Sequence, residues 1–371
     1  MTNYSSPGIY IAGVNLLLLL LVFTNIAPSI GRYQLGDTCV VNSACPGDGL
    51  HCETCIANGN IRPRCTRISP VDPKSKAGTG LPFNRYSWLT THNSFSILNS
   101  KTMTGVPIVT AFNQQDSITA QLNAYIHTYI HTYIQIYTYN GVRGLMLDLY
   151  DFRDDIWVCH SFKGKCYDFT AFQPATNALS EIRIFLESNT NEVVTIFIED
   201  YVSSNGPKSL SKIFASTGLK KYWFPVDRMP NNGKDWPLLS DMIAKNQRLM
   251  VFTSKSAKQN SQGIAYQWNY IVENQYGDGG MENGLCPNRA ESASMPTKSR
   301  SLVLMNYFGT LPDFATACKH NSKPLMDMLD TCHNSSGGRW ANFIAVDFYK
   351  RSDGGGASLA TDVANDHLQG N

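Results

Sequence analysis

Residues 141–151 read GVRGLMLDLYD, residues 156–161 read IWVCHS, and an earlier segment, residues 88–95, reads WLTTHNSF. In the earlier and the later segment, a short apolar run ends in a histidine, His92 or His160, beside a polar group. A strand of a barrel delivers a catalytic side chain to its C-terminal rim in this way. Two histidines placed there can act as base and acid in one reaction.

Length and composition indicate one large globular domain with a small one attached. The chain has 371 residues, of which 43% are hydrophobic, so it can bury a sizeable core. Its formal net charge is +2, and no basic stripe with interleaved aromatic residues is visible. We therefore expect no nucleic-acid partner, and we infer no obligate protein partner.

The first 30 residues are typical of a secretory signal peptide. Leu16–Phe23 is an uninterrupted apolar run, extended upstream by Ile9–Val14, and small residues follow it. This core is short for a membrane span, and cleavage is expected between about residues 24 and 31. The alternative is an uncleaved anchor, because no Lys or Arg precedes the run. The signal peptide predicts a secreted protein, and no apolar C-terminal stretch of the kind that a GPI anchor requires is seen.

Cysteine usage agrees with an oxidising compartment. Five of the ten cysteines lie within residues 31–70, namely Cys39, Cys45, Cys52, Cys55 and Cys65. Dense cysteines between Gly and Pro predict a disulfide-rich lobe, in which one cysteine pairs with the body or stays free. A zinc site on Cys52 and Cys55 is the alternative. Cys159 and Cys166 flank a short loop and can pair, and Asn334-Ser335-Ser336 is a glycosylation sequon.

The rest of the chain alternates strand-like and helix-like segments. Residues 71–80 are rich in Pro and Gly and are predicted to be a linker, residues 81–356 a barrel domain, and residues 357–371 a polar tail. Near-continuous apolar strands between helices indicate an α/β fold, a distorted TIM (β/α) barrel behind the N-terminal disulfide-rich lobe. An open doubly wound sheet is the alternative, but no Gly-rich phosphate turn follows the first strand. The strand-like runs are Ser87–Thr91, Gly141–Leu149, Ile156–His160, Val193–Asp200, Arg248–Thr253, Ser301–Phe308 and Asn342–Tyr349.

Residues 124–139 do not fit this pattern. They repeat the unit Thr-Tyr-Ile-His, which a tandem ACAT repeat encodes when it is read in frame. We interpret them as an aberrant insertion from a translated microsatellite. His127 and His131 stand at i, i+4 spacing and could imitate a metal pair on a helix, but the repeat explains them without a function.

The histidine segments carry a resemblance to a known family. Thr91–Phe95, Gly141–Asp148, Cys159–Ser161, Val194–Asp200 and Asn342–Tyr349 together resemble the X domain of phosphatidylinositol-specific phospholipase C, in particular its plant secreted PLC-like branch. The resemblance implies a distorted TIM barrel that cleaves a phosphodiester with two histidines. It also implies a phosphoinositide or GPI-type lipid substrate at a membrane surface, and a place in the cell wall or apoplast.

By this resemblance, His92 is the base that activates the inositol 2-hydroxyl, and His160 protonates the departing glycerol oxygen. The unperturbed pKa of an imidazole lies close to neutral pH, which suits both tasks. Asp347 ends the apolar run Phe343–Val346 and, by resemblance, orients His92. A helix cap or a salt bridge to the neighbouring Lys350 or Arg351 is the alternative role for Asp347.

The resemblance also implies a calcium site. Asn93, Asp148 and Glu199 stand at the positions of three family ligands, whereas Met146 stands where a fourth ligand, a glutamate, is expected. Ca²⁺ takes six to eight oxygens, so three protein ligands with water and phosphate make it a candidate cofactor. Glu199 and Asp200 could instead be a structural carboxylate pair at a strand end.

Other groups could meet the phosphate or the head group without a metal. Lys163 or Arg143 can supply positive charge, and Tyr349 is a further substrate-binding candidate. Asn306–Phe308 ends a strand and is expected to contribute to the pocket.

Two other functions remain open. A glycerophosphodiester phosphodiesterase shares the barrel, but it would show His-Arg-Gly where this chain has His92-Asn93-Ser94. A catalytically weak barrel that binds lipid head groups or glycans is favoured by Met146 and by the insertion. Retention of His92, His160 and Asp347 opposes it.

Overall fold

The computed structural model describes residues 34–45, 49–108, 112–123, 140–203 and 208–370. All of them belong to one compact unit, Tyr33–Asn371. The predicted signal peptide and the predicted insertion at 124–139, with His127 and His131, lie outside the described residues.

Disulfides build the N-terminal lobe, residues 34–68. Its two antiparallel strands are β1 (Leu50–Cys55) and β2 (Asn60–Arg67). Cys39–Cys52 and Cys45–Cys65 staple the lobe, while Cys55 pairs with Cys318 of the body. The expectation that one lobe cysteine leaves the lobe is therefore confirmed, and the zinc alternative is wrong because both of its cysteines are oxidised.

Two further disulfides lie in the body. Cys159–Cys166 forms as predicted, and Cys286–Cys332 accounts for the last two cysteines, so no cysteine is free. The cysteine spacing alone did not reveal the second of these pairs, because connectivity depends on the fold.

The predicted linker carries a short helix, α1 (Pro73–Ala77), which Asp72 caps at the backbone N–H of Lys74. The Lys74 ammonium also pairs with Glu192 of the body at 3.0 Å, so this segment is packed against the body. The domain boundaries at 71 and 81 stay predictions.

The remaining strands, in chain order, are β3 (Trp88–Thr91), β4 (Gly144–Phe152), β5 (Asp155–Cys159), β6 (Ala171–Pro174), β7 (Val194–Tyr201), β8 (Leu249–Thr253), β9 (Ala265–Tyr266), β10 (Ile271–Glu273), β11 (Leu302–Tyr307) and β12 (Phe343–Val346). Eight of them pair in parallel in the order β3-β4-β7-β8-β9 and β10-β11-β12, and β12 returns to β3. Among the described residues, no ladder joins β9 to β10.

This circular order is that of a distorted TIM barrel, since the last strand pairs with the first. A doubly wound sheet would reverse its strand order partway, so that alternative is wrong. β5 and β6 stand apart, because they form an antiparallel extension of β4.

Helices cover the barrel. They are α2 (Ile118–Leu122), α3 (Ala175–Ser188), α4 (Leu210–Ser216), α5 (Leu239–Ala244), α6 (Ala257–Gln262), α7 (Phe314–His320), α8 (Lys323–Ser335) and α9 (Gly356–Leu368). In α3 the predicted stripe Leu179, Ile182, Phe185 and Leu186 is buried. In the part of the chain that the structure describes, no helix combines the length and hydrophobicity needed to cross a bilayer.

The predicted polar tail at 357–371 is wrong for most of its length. Helix α9 occupies it, and Ala357, Ala360 and Ala364 are completely buried against the barrel. Small alanines separated by polar residues bury one face of a helix without forming a conspicuous apolar stripe, so the sequence pattern did not show it.

A close strand approach positions the first histidine. Gly144 begins β4 directly beside β3, and a Cβ added to it would collide with the side chain of Thr90. Only glycine permits this spacing, so the last two residues of β3 pair with the first two of β4, and His92 follows directly after that contact.

Candidate active site

A cavity of about 470 Å³ opens at the carboxyl ends of the parallel strands. This is a usual size for a small-molecule site, and its place is where TIM barrels carry their active sites. Five predicted site residues line it, together with Met146: His92, Asn93, Asp148, His160 and Glu199. Asn306 and Phe308 line it too, as expected from the sequence.

His92 follows β3 and is held by Asp347, which follows β12. The His92 Nδ1 atom lies 2.9 Å from Asp347 Oδ1. Because a carboxylate only accepts, Nδ1 carries the proton in this pair, which leaves Nε2 with a lone pair. The imidazole also stacks on Phe308, with ring centroids 3.7 Å apart. The alternative roles for Asp347 are not realised, since Lys350 pairs with Asp116 and Arg351 with Glu53.

Two residues that sequence reasoning missed reinforce this pair. Asn113 Nδ2 donates to Asp347 Oδ1 at 2.9 Å, and Gln114 Nε2 donates to the carbonyls of His92 and Val346 at 2.8 and 3.1 Å. Both lie in the irregular segment between β3 and α2, where no periodic pattern marks them. They join the ends of the first and last strands of the barrel.

His160 reaches the cavity from the antiparallel extension. It comes directly after β5, its backbone N–H donates to the carbonyl of Thr170 at 3.1 Å, and its side chain is half-buried. The Cys159–Cys166 disulfide closes the loop that begins at His160. The second histidine is therefore positioned by a hairpin and a covalent staple.

The predicted calcium ligands share the cavity, but they do not fit a resident calcium ion. Asn93 Oδ1 is buried and makes no hydrogen bond with the described residues, as a ligand oxygen would. Glu199, however, accepts from Arg289 Nη1 at 2.7 Å, and Met146 supplies no oxygen. Only Asp148 remains as a carboxylate without a hydrogen-bonded cation, which is too few for a hard divalent ion that prefers several anionic oxygens.

The ionised form of Asp148 is also disfavoured. Desolvation in the pocket and the nearby Glu199 carboxylate raise the pKa of Asp148 well above its usual range, and Arg289 only partly offsets them. Asp200, the neighbour of Glu199, is not in the cavity; it forms a completely buried pair with Lys258 at 2.6 Å. The two carboxylates at this strand end thus have different roles, because successive side chains of a strand point to opposite faces.

Arg289 is a cation that sequence reasoning missed. Its guanidinium donates to Glu199, to Glu273 at 3.2 Å and to Glu291 at 2.9 Å. It also lies 4.7 Å from the ring of Trp268. Although burial alone would lower it, Glu273 and Glu199 hold the pKa of Arg289 above its ordinary value. These contacts fix the guanidinium on the pocket wall and neutralise carboxylates there.

Lys255 is the other cation that lines the cavity. It follows β8, its side chain is exposed, and it forms no ion pair with any described residue. An ammonium of this kind can meet an anionic group of a ligand as a point charge.

The structure does not bring three predicted substrate-binding residues to the cavity. Arg143 precedes β4, so it lies at the opposite end of the barrel, where it is buried against Glu192 at 2.8 Å. Tyr349 is buried and donates to Asp116 Oδ2 at 2.8 Å. Lys163 is exposed in the loop after His160 and does not line the cavity; its ammonium lies over Phe162.

The eight parallel strands curl into a barrel that carries His92 and carboxylates at its carboxyl rim, with His160 reaching the same cavity from the antiparallel extension, and this arrangement defines a barrel of the PLC-like phosphodiesterase class. The family model described as PI-PLC X 1 matches residues 106–361, and the chain belongs to the PI-PLC X domain family. A PI-PLC X domain-containing protein of Arabidopsis thaliana is 51% identical over 353 residues, which cover 95% of this chain and 78% of that protein. PI-PLC X domain-containing protein 1 of Arthroderma benhamiae is 26% identical over 47% of this chain and 60% of its own length.

Solved structures of bacterial enzymes are also similar. The phosphatidylinositol-specific phospholipase C of Listeria monocytogenes matches 80% of this chain and 97% of its own, at 15% identity and a TM-score of 0.47. A Staphylococcus aureus phosphatidylinositol-specific phospholipase C also matches 80% of this chain and 97% of its own, at 16% identity and a TM-score of 0.46.

Proposed function

We propose that the protein is a phosphoric diester hydrolase that cleaves the phosphodiester of an inositol lipid with His92 as base and His160 as acid. One observation carries the proposal: a histidine oriented by a carboxylate shares a cavity with a second histidine. Membership of the PI-PLC X domain family supports the substrate class.

His92 acts first. Its Nδ1–H is held by Asp347, so the Nε2 lone pair accepts the proton of the inositol 2-hydroxyl as that oxygen attacks phosphorus. The Asp347 carboxylate stabilises the imidazolium that forms. The stacked Phe308 ring fixes the plane of the imidazole and so keeps Nε2 directed at one place.

His160 completes the exchange. As the phosphorus–oxygen bond to glycerol breaks, the His160 imidazolium gives its proton to the departing oxygen. The products are a cyclic inositol phosphate and a lipid alcohol, and the two histidines end with their protonation states exchanged. Water then restores them, directly or by opening the cyclic ester.

Positive charge must stabilise the transition state at phosphorus. We assign this role to Lys255, because its ammonium lines the cavity without an ion pair to a described residue. Arg289 keeps Glu199 and Glu273 paired, which limits their repulsion of the phosphate. No step of this scheme uses a metal ion.

The substrate is proposed to lie in a membrane surface that the secreted protein meets from outside the cell. Exposed apolar side chains stand beside the pocket, with Phe162, Tyr276 and Leu311 exposed by 49, 49 and 80%. Five disulfides favour an oxidising compartment, and the sequon residue Asn334 is exposed on α8.

The test is hydrolysis of phosphatidylinositol vesicles by the full chain, with calcium and with a chelator. We expect turnover that survives chelation and falls about 10²- to 10⁴-fold in His92→Ala and His160→Ala. Lys255→Gln should lower turnover, while the matched variant Lys163→Gln should not. Folded wild-type protein without turnover would overturn the proposal.

A second candidate is a barrel that binds inositol lipids without cleaving them. Met146 favours it, because an apolar side chain lines the cavity where the family places a carboxylate. Vesicle binding by wild-type protein without product release would support this candidate, and His92→Ala would then leave binding unchanged.

A further inference from the structure

The N-terminal lobe has no part in the scheme above, and it lies before the residues that the family model matches. Its internal disulfides keep it folded, but Cys55–Cys318 joins positions 263 residues apart. A disulfide over such a distance ties the lobe to one particular place on the barrel. That place is beside the residue that orients His92.

The lobe contacts the segment that follows Asp347. We call residues 347–354 the exit loop of β12. Glu53 of β1 pairs with Arg351, and the side-chain amide of Asn58 donates to Asp353. The backbone N–H of Arg67 donates to the carbonyl of Gly354 at 2.8 Å. The lobe thus contacts the exit loop at three residues of that loop.

Helix α7 also contacts the exit loop, and α7 is the helix to which the Cys55–Cys318 disulfide is attached. Cys318 lies within α7. Asn321, directly after α7, donates to the carbonyls of Asp347 and Phe348 at 2.9 and 3.2 Å. The ring of Phe314 packs edge-on against Phe348 at 5.2 Å. The disulfide therefore connects the lobe, α7 and the backbone of Asp347 in one chain of contacts.

The exit loop needs such support because its backbone is strained. Phe348 has a φ of 46°, a left-handed conformation that is unfavourable for an aromatic residue. Such conformations persist only where the surroundings enforce them. Relaxation at Phe348 would turn the preceding residue, Asp347, away from His92.

We propose that the disulfide lobe is a positioning element, which holds Asp347 against His92 through the Cys55–Cys318 bond, Asn321 and the exit loop. This inference rests on the proposed function, since it assigns the lobe a role in the action of His92. Neither the lobe nor Asn321 touches the reacting atoms. Their loss should therefore affect kcat and leave KM nearly unchanged.

The experiment compares the double variant Cys55→Ser/Cys318→Ser with the control Cys286→Ser/Cys332→Ser, which removes a disulfide within the body. We expect kcat to fall about 10- to 100-fold in the first variant, with KM unchanged, and much less in the control. Glu53→Gln and Asn321→Ala keep all disulfides and should give smaller losses of the same kind, so the test survives if the first variant fails to fold.

A second readout does not depend on turnover. The hydrogen-bonded Nδ1 proton of His92 gives an NMR resonance that should weaken or vanish in Cys55→Ser/Cys318→Ser and persist in the control. Equal kcat and an equal resonance in the two disulfide variants would overturn the inference while the proposed function stands. Absence of turnover in wild-type protein would remove the proposed function, and the resonance would still decide whether the lobe holds Asp347.

Discussion

The two histidines reach one cavity by different means. His92 stands at the end of a barrel strand. Its ring donates a hydrogen bond to Asp347 and stacks on Phe308, and its backbone carbonyl accepts one from Gln114. His160 stands outside the parallel set, on a hairpin whose loop is closed by Cys159–Cys166. The His92 side depends on contacts between distant parts of the chain, and the His160 side on a disulfide within its own loop.

This difference separates two kinds of vulnerability. On the His92 side, the lobe contacts the exit loop, and the exit loop begins with Asp347, which binds His92. A substitution far from His92 can therefore weaken its support. The hairpin of His160 is stapled within eight residues, so changes elsewhere in the barrel should reach it less. Substitutions on one side should therefore impair the action of one histidine, as base or as acid, and leave the position of the other histidine unchanged.

The largest effect is expected from Asp347→Asn. The amide keeps the size of the side chain but loses the charge that stabilises the imidazolium, and it can bind the wrong tautomer of His92. We expect kcat to fall about 10²- to 10⁴-fold with little change in KM. Asp327→Asn is the matched control, since Asp327 pairs with Lys323 on the surface of α8 and does not line the cavity. If Asp347→Asn retained most of the turnover, His92 would not be the base.

The next largest effect is expected on the His160 side of the site. Cys159→Ser/Cys166→Ser removes the staple beside His160, and we expect kcat to fall roughly 10-fold as the loop samples other conformations. The Nδ1 proton resonance of His92 should persist, because nothing on that side has changed. Its disappearance would show that the two histidines are held as one unit and not separately.

The sequence predicted the parts of the site that lie in or directly after strands with recognisable apolar runs. His92, His160, Asp148 and Glu199 stand in or directly after strands whose apolar runs are easy to recognise, and all four line the cavity. The prediction for Arg143 was wrong because Arg143 directly precedes β4, which begins at Gly144. It therefore stands at the amino end of the strand, whereas the cavity opens at the carboxyl end.

Residues on loops and short strands could not be predicted in the same way. Arg289 and Glu273 belong to a three-residue strand and the irregular chain after it, where no period marks a direction. Asn113 and Gln114 act only because the fold brings β3 beside β12, its neighbour in the sheet but not in the sequence. The strand β9 has two residues, too few for alternation to be seen. Contacts between distant segments are properties of the folded barrel and not of any local pattern.

A smaller effect is expected from Phe308→Leu. Leucine keeps apolar volume but loses the parallel ring contact with His92. An aromatic contact contributes about 0.5–1.5 kcal/mol, so kcat should fall by about 2- to 10-fold. Phe314→Leu is the comparison, because it removes the ring contact between α7 and Phe348 of the exit loop and leaves the contact between Phe308 and His92 in place. A change in KM without a change in kcat for Phe308→Leu would place the ring in substrate binding.

The smallest effect concerns acid pH and the lobe. Burial, with lesser contributions from Lys350 and Arg351, lowers the pKa of His51 below its ordinary value of 6.5. The Glu53 carboxylate lies 3.2 Å from His51 Nε2, but it is shared with Arg351, so it does not offset the burial of the ring. The folded state thus favours the neutral ring. The stability that His51 contributes is therefore complete above about pH 6.5 and is lost as the pH falls through the lowered value.

We expect the Tm of wild-type protein to fall between pH 7 and pH 5 by on the order of 1 °C more than that of His51→Gln. Differential scanning calorimetry at both pH values measures this difference. Because His51 faces the exit loop, protonation should weaken the anchorage of the His92 side and spare the hairpin of His160. An equal fall in Tm for wild type and His51→Gln would show that acid acts elsewhere in the molecule.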